Sequence, residues 1–96
     1  APDVGSGNPP NLVQLKDGRV ALIYGYRKPP YGIRARLSSD QGKSWSDEFV
    51  LRADGGNTDL GYVRSVQRPD GAVVSTYYFN TDPKLERFIG ATIWVP

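Results

Sequence analysis

The chain repeats itself, and the repeat limits what it can fold into. Val13-Gln14-Leu15-Lys16-Asp17-Gly18-Arg19-Val20 aligns with Val66-Gln67-Arg68-Pro69-Asp70-Gly71-Ala72-Val73 at an offset of 53 residues. The match continues from Tyr24 to Tyr77 and from Tyr26 to Phe79. Ile33, Ala35 and Leu37 then align with Ile89, Ala91 and Ile93 at an offset of 56, the extra residues falling in the loop before that segment. A period of about 50 residues belongs to arrays in which each repeat is one supersecondary unit.

Each unit is predicted to be a set of antiparallel strands. Asn11 to Lys16 and Arg19 to Tyr26 flank Asp17-Gly18, a two-residue hairpin signal. The second of these strands is apolar on both faces (Val20, Leu22 and Tyr24 against Ala21 and Ile23), as a strand covered on both sides should be. Pro29-Pro30 breaks the loop after it. Ile33 to Ser38 and Glu48 to Arg52 complete the first unit. Val63 to Arg68, Ala72 to Phe79 and Arg87 to Trp94 form the second. No segment carries helical periodicity with caps, so an all-β chain almost without helix is expected. The unit boundaries are placed at about residues 9–52 and 61–96.

Composition narrows the chemistry. With 96 residues the chain is one domain at most, and a chain of that size buries only about 60–65% of its unfolded surface. It has no cysteine and no histidine, so neither disulfides, thiol chemistry nor a histidine base is available. The net charge of +2 is scattered, which argues against nucleic acid. No apolar run reaches membrane-spanning length and no signal peptide is visible. The chain has no methionine, even at its start, so Ala1-Pro2-Asp3 is expected to be a processed or truncated end. No cofactor or metal is expected. Asp40, Asp47 and Glu48 lack the spacing of a calcium loop, and Lys43 intrudes.

Residues 38 to 45 read Ser38-Ser39-Asp40-Gln41-Gly42-Lys43-Ser44-Trp45, the S-x-D-x-G-x-S-W pattern of an Asp box. Gly42 suits a backbone angle that a Cβ would penalise. Asp40 can accept backbone N–H groups across the turn, and Ser38 and Ser44 can add hydroxyl bonds. Trp45 supplies a large ring to bury beneath the loop. With this motif, Gly61-Tyr62, Ser65, Asp70-Gly71 and Tyr77, and with the ending Ile89-Gly90-Ala91-Thr92-Ile93-Trp94, the chain resembles sialidase-type (BNR-repeat) β-propellers from about Pro9 onward. The resemblance implies two propeller blades of the four-stranded antiparallel type, the second lacking its outermost strand. Residues 1–8 could supply that strand to another chain.

In such a blade the Asp box lies on one rim. Arg27, Lys28, Tyr31, Asp59, Tyr62, Arg64, Asn80, Asp82, Lys84 and Arg87 collect on the opposite rim, where sialidases carry their active site. The resemblance implies a tyrosine nucleophile, for which Tyr62 is in register, and arginines for the substrate carboxylate. Arg64, Arg27 and Arg34 are the candidates, with Asp59 and Tyr31 beside them. Tyr31 stands where the family's Asp-box arginine is usual. A tyrosine nucleophile avoids the charge clash that a carboxylate would meet with an anionic sugar. Each residue also has a structural alternative: Tyr62 packed on an inner strand, Arg64 paired with Asp59, Arg34 and Arg36 as charges sharing one strand face, Arg27 as a solvated loop cation. Tyr24, Tyr26, Tyr77, Tyr78 and Phe79 are expected to pack between blades.

Two blades cannot close a ring, so open apolar faces are expected. They would be covered by assembly, three chains closing a six-bladed ring, or by further blades of a longer chain. The expected function is that of a sialidase-like propeller related to hydrolases of anionic glycans, the isolated chain being inactive because the acid/base aspartate and activating glutamate lie outside it. A non-catalytic carbohydrate-binding oligomer and a ligand-free scaffold are the alternatives. Carbohydrate, as sialic acid or another anionic glycan, and further copies of the chain are the expected partners. The resemblance slightly favours a secreted or periplasmic location.

Overall fold

The computed structural model describes residues 10–27, 29–56, 60–82, 84 and 87–96. It contains seven strands and, among the described residues, no helix: β1 (Asn11–Gln14), β2 (Val20–Tyr26), β3 (Gly32–Ser38), β4 (Phe49–Arg52), β5 (Gly61–Gln67), β6 (Val73–Phe79) and β7 (Phe88–Trp94). They form two antiparallel meanders, one of four strands in the order β1-β2-β3-β4 and one of three in the order β5-β6-β7. Each strand lies within two residues of its expected bounds. The strand offered by residues 1–8 lies outside the described residues.

The repeat holds at the level of hydrogen-bond register. Val13 faces Ala21, which faces Leu37. Their repeat partners Val66, Val74 and Ile93 face one another in the same order. Both hairpin turns are built alike. Gly18 and Gly71 adopt φ of 94° and 93°, a region open to glycine without steric cost. Asp17 Oδ1 accepts the amide of Arg19 and Asp70 Oδ1 accepts that of Ala72, each at 3.0 Å. Asp70 is held down to about 2 by the Arg68 guanidinium and the Ala72 amide.

The sheets pack face to face, β1 and β2 against β5 and β4 against β7. The core between them is Ala21, Ile23, Ile33 and Ala35 from the first sheet and Val63, Val73, Tyr77, Phe79 and Trp94 from the second, closed by Leu15 and Leu60. Phe49 meets Trp94 edge to face with ring centroids 5.6 Å apart. The Trp94 indole N–H donates to Ser75 Oγ at 3.0 Å, and that hydroxyl shares a 2.8 Å bond with Ser65, so the polar groups of these three residues are paired.

β2 is buried from Ala21 to Gly25, on both faces as expected. The cover on its outer face is not a second sheet. Arg34 and Arg36 extend from β3 along that face, and Glu48 caps it: Glu48 accepts from the Tyr24 hydroxyl and, at 2.5 Å, from Arg34. Long charged side chains thus cover apolar surface with their stems.

Candidate functional site

Antiparallel order places every second connection on the same rim. The turns β1–β2, β3–β4 and β5–β6 form one rim. The entries to β1 and β5 and the loops β2–β3 and β6–β7 form the other. The Asp box closes β3 onto β4 on the first of these. Ser38 Oγ donates to Asp40 Oδ1 at 2.8 Å and accepts the Gly42 amide at 2.8 Å. Asp40 also accepts the Ser44 amide at 2.8 Å and the Ser44 hydroxyl. These bonds, the Ser44 hydroxyl's first, hold the Asp40 carboxyl down to about 2. Gly42, at φ 88°, lies under Trp45: a Cβ there would stand 3.5 Å from Cζ2 of the ring. Trp45 is half-buried rather than enclosed. Asp40 spends its oxygens on the loop and Glu48 on Tyr24 and Arg34, so these two carboxylates are committed to protein donors.

On the opposite rim, Tyr62 opens β5. Gly61 has φ 120° and Tyr62 φ 51°, and the β5–β6 register slips between Gly61 and Arg64. A bulge of this kind re-aims a side chain. Tyr62 points outward and is 63% exposed. It lines a hollow with Pro10, Asn11, Val63 and Arg64, about 100 Å³ in volume. Arg64 is exposed beside it. The Asn11 side-chain oxygen is buried without a hydrogen-bond partner. Tyr62, Arg64 and Asn11 thus each contribute to the lining of one small opening. Arg is suited to a carboxylate there because it can donate two parallel bonds.

The other candidates are dispersed. Arg27 reaches the Leu60 carbonyl at 3.4 Å, which ties the end of β2 to the residue before Gly61. Tyr31 is partly buried, and its carbonyl accepts the Gly55 amide at 2.8 Å. Arg34 is not on the rim. It lies on the outer face of the first sheet, salt-bridged to Glu48, with its guanidinium carbon 3.5 Å from the Tyr26 ring centroid. Asn80 is fully buried rather than rim-exposed, and its carbonyl accepts the Gly56 amide at 2.9 Å. Asp59 and Lys28 lie outside the described residues. Asn11 was missed in the sequence; its place opposite Arg64 in the repeat, 53 residues earlier, is the signal that could have found it.

Among the described residues no cluster of three or more acidic, histidine or cysteine side chains could hold a metal ion. Likewise, no helix is long and apolar enough to cross a membrane.

The chain matches no protein-family model and no curated protein. It is similar to a solved structure, the crystal structure of a protein of unknown function from Dyadobacter fermentans DSM 18053, at 41% identity and a TM-score of 0.78. The match covers 96% of this chain and 26% of that one, so the chain spans about a quarter of that protein's length.

Proposed function

We propose that the two sheets are neighbouring blades of a sialidase-like β-propeller, and that the rim around Tyr62 and Arg64 binds an anionic glycan, a sialic acid first among them. The blade reading is supported by face-to-face stacking of sheets with equivalent registers, and by an Asp box on the rim away from the hollow. The observation that carries the glycan reading is the backbone of Tyr62. A bulky residue at φ 51° costs on the order of 1–3 kcal/mol. Packing does not require that cost, since the ring is 63% exposed. The strain serves to aim the ring into the hollow beside Arg64. An aromatic face can lie along the C–H surface of a sugar while the guanidinium takes its carboxylate.

The chain on its own is suited to binding rather than hydrolysis. Among the described residues, none lining the hollow is a carboxylate, so none of them supplies a general acid or an activator for Tyr62. Titration with N-acetylneuraminic acid, followed by amide NMR, tests this. Shifts centred on Tyr62, Arg64 and Asn11, lost in Arg64→Ala and absent with neutral N-acetylglucosamine, are expected. No turnover of a fluorogenic sialoside is expected. Equal response to the neutral sugar, or shifts confined to the Asp-box rim, would refute the site.

A further inference from the structure

The outer face of β5-β6-β7 repeats, row by row, the face that β1-β2-β3-β4 buries. Its rows are Val66–Val74–Ile93, Arg64–Thr76–Ala91 and Tyr78–Ile89. One repeat earlier these are Val13–Ala21–Leu37, Asn11–Ile23–Ala35 and Gly25–Ile33. In the first sheet Ala21, Ile23, Ala35 and Ile33 are fully buried against the second sheet. In the second sheet Val66 is 63%, Ile93 60% and Ile89 76% exposed. The same pattern is thus covered once and open once, and an open apolar patch of this kind marks an interface.

At the other end, the outer face of the first sheet (Leu22, Tyr24, Tyr26) is the repeat counterpart of the face that the second sheet buries (Ser75, Tyr77, Phe79). The two differ in where their cation comes from. Arg52 crosses from β4 to lie 4.2 Å over the Phe79 ring and donates to the Tyr77 hydroxyl at 3.4 Å. Gly90 leaves room for it: a Cβ there would stand 3.1 Å from Arg52 Nη1. On the first sheet the position of Gly90 is held by Arg34, which covers Tyr26 from its own sheet. A sheet docking on that face has no space to fill with an arginine. The β5-β6-β7 sheet, which among the described residues has no fourth strand to bring one, is matched to it.

We infer that the outer face of β5-β6-β7 docks on the Leu22–Tyr24 face of a second copy of this chain, head to tail, in the register that already joins the two sheets within the chain and with no arginine crossing. The inference rests on the stacked-blade reading and not on the glycan site. Such a contact is heterologous, so it closes only as a ring. Rings of roughly four to eight blades are the common ones.

The chain has no cysteine, so single cysteines report the contact. Within the chain the Lys16 amide bonds to the Gln67 side chain at 2.8 Å. One repeat along, Pro69 of one copy should meet Gln14 of the next. Mixing Pro69→Cys with Gln14→Cys chains and a short bis-maleimide should give the mixed dimer in excess over either like-with-like dimer. Sedimentation of the full chain should show mass above the monomer in the micromolar range. Ile93→Asp, and independently Val66→Lys on another strand, should weaken association by about tenfold or more, since each sets a charge against an apolar row. Both positions are exposed, so folding survives and is checked by circular dichroism. A monomer throughout, or cross-links joining like with like, overturns the inference. A doubly substituted Lys16→Cys/Gln67→Cys chain separates the two levels. If it closes internally while the mixed dimer fails, only the docking is wrong; if it does not close, the stacked-blade reading falls as well.

Discussion

Tyr24 and Tyr77 occupy the same place in the two repeats and are satisfied by different partners. The Tyr24 hydroxyl donates to Glu48 of its own sheet. The Tyr77 hydroxyl shares a 2.7 Å bond with Thr92 and accepts from Arg52 of the other sheet. One tyrosine is sealed from within and the other is keyed from across the interface. That difference follows from two substitutions within the repeat, Arg34 against Gly90 and Arg36 against Thr92.

The sealed tyrosine gives the protein an alkaline limit. Burial, then the hydrogen bond to the Glu48 carboxylate, pushes the Tyr24 phenol from 10.0 up to about 12. The folded value lies above the unfolded one, so the stabilisation is fully present below pH 10 and is lost as pH rises toward about 12. Urea midpoints measured between these pH values should fall steadily. Tyr24→Phe should flatten that slope while leaving a less stable protein near neutrality, by about 1 kcal/mol, because a bond to a charged partner is lost. An unchanged alkaline slope in the phenylalanine variant would assign the transition to another group.

The keyed tyrosine makes Arg52 and Gly90 a coupled pair. Arg52→Ala should cost about 1–2 kcal/mol through the lost cation–π contact and stem packing. Gly90→Ala should cost about 1–3 kcal/mol, because its Cβ would stand 2.7 Å from Tyr77 Cε1 as well as close to the guanidinium. Removing Arg52 frees part of that space. The double variant should therefore be more stable than the sum of the two costs implies, by about 0.5–1 kcal/mol. Strict additivity in urea unfolding would mean that Gly90 does not serve the arginine.

Gly18 and Gly71 test whether the two turns are the same device. Both have φ near 94°, and a Cβ on either would meet nothing within 4 Å. Alanine at each position then costs only the left-handed backbone, about 1–2 kcal/mol. The two costs should agree to within about 0.5 kcal/mol in guanidinium unfolding. A much larger cost at one of them would mean that the turns are held by different contacts.

The strands, the hairpin turns and the doubling of the unit were legible in the sequence because they are local. Alternation, Asp-Gly and the Asp box specify residues within one or two turns of chain. The apolar character of β2 was legible too, but not its cover, since Arg34, Arg36 and Glu48 read as surface charges until they fold over Tyr24 and Tyr26. The Arg52–Phe79 contact spans 27 residues and two sheets, and no local pattern encodes it. Of the rim candidates, Tyr62 and Arg64 come together because they share β5. Arg34 goes elsewhere because alternation along β3 sends it to the face of Tyr24. The bulge that turns Tyr62 outward has one faint local sign, the glycine that precedes it.

Tyr62 sets stability against binding. Asparagine tolerates the left-handed region better than a bulky residue does. Tyr62→Asn should therefore leave the chain as stable as before or more stable, by up to about 1 kcal/mol. The ring is exposed, so its loss removes little buried area. The same change deletes the aromatic wall of the hollow, and N-acetylneuraminic acid should no longer shift the amides of Asn11 and Arg64. Tyr62→Phe keeps the wall and the strain, and should retain binding while remaining at the original stability. If the asparagine variant is instead destabilised by more than about 1 kcal/mol, the ring is needed for packing. The strained backbone would then be a consequence of the fold rather than a device for holding a ligand.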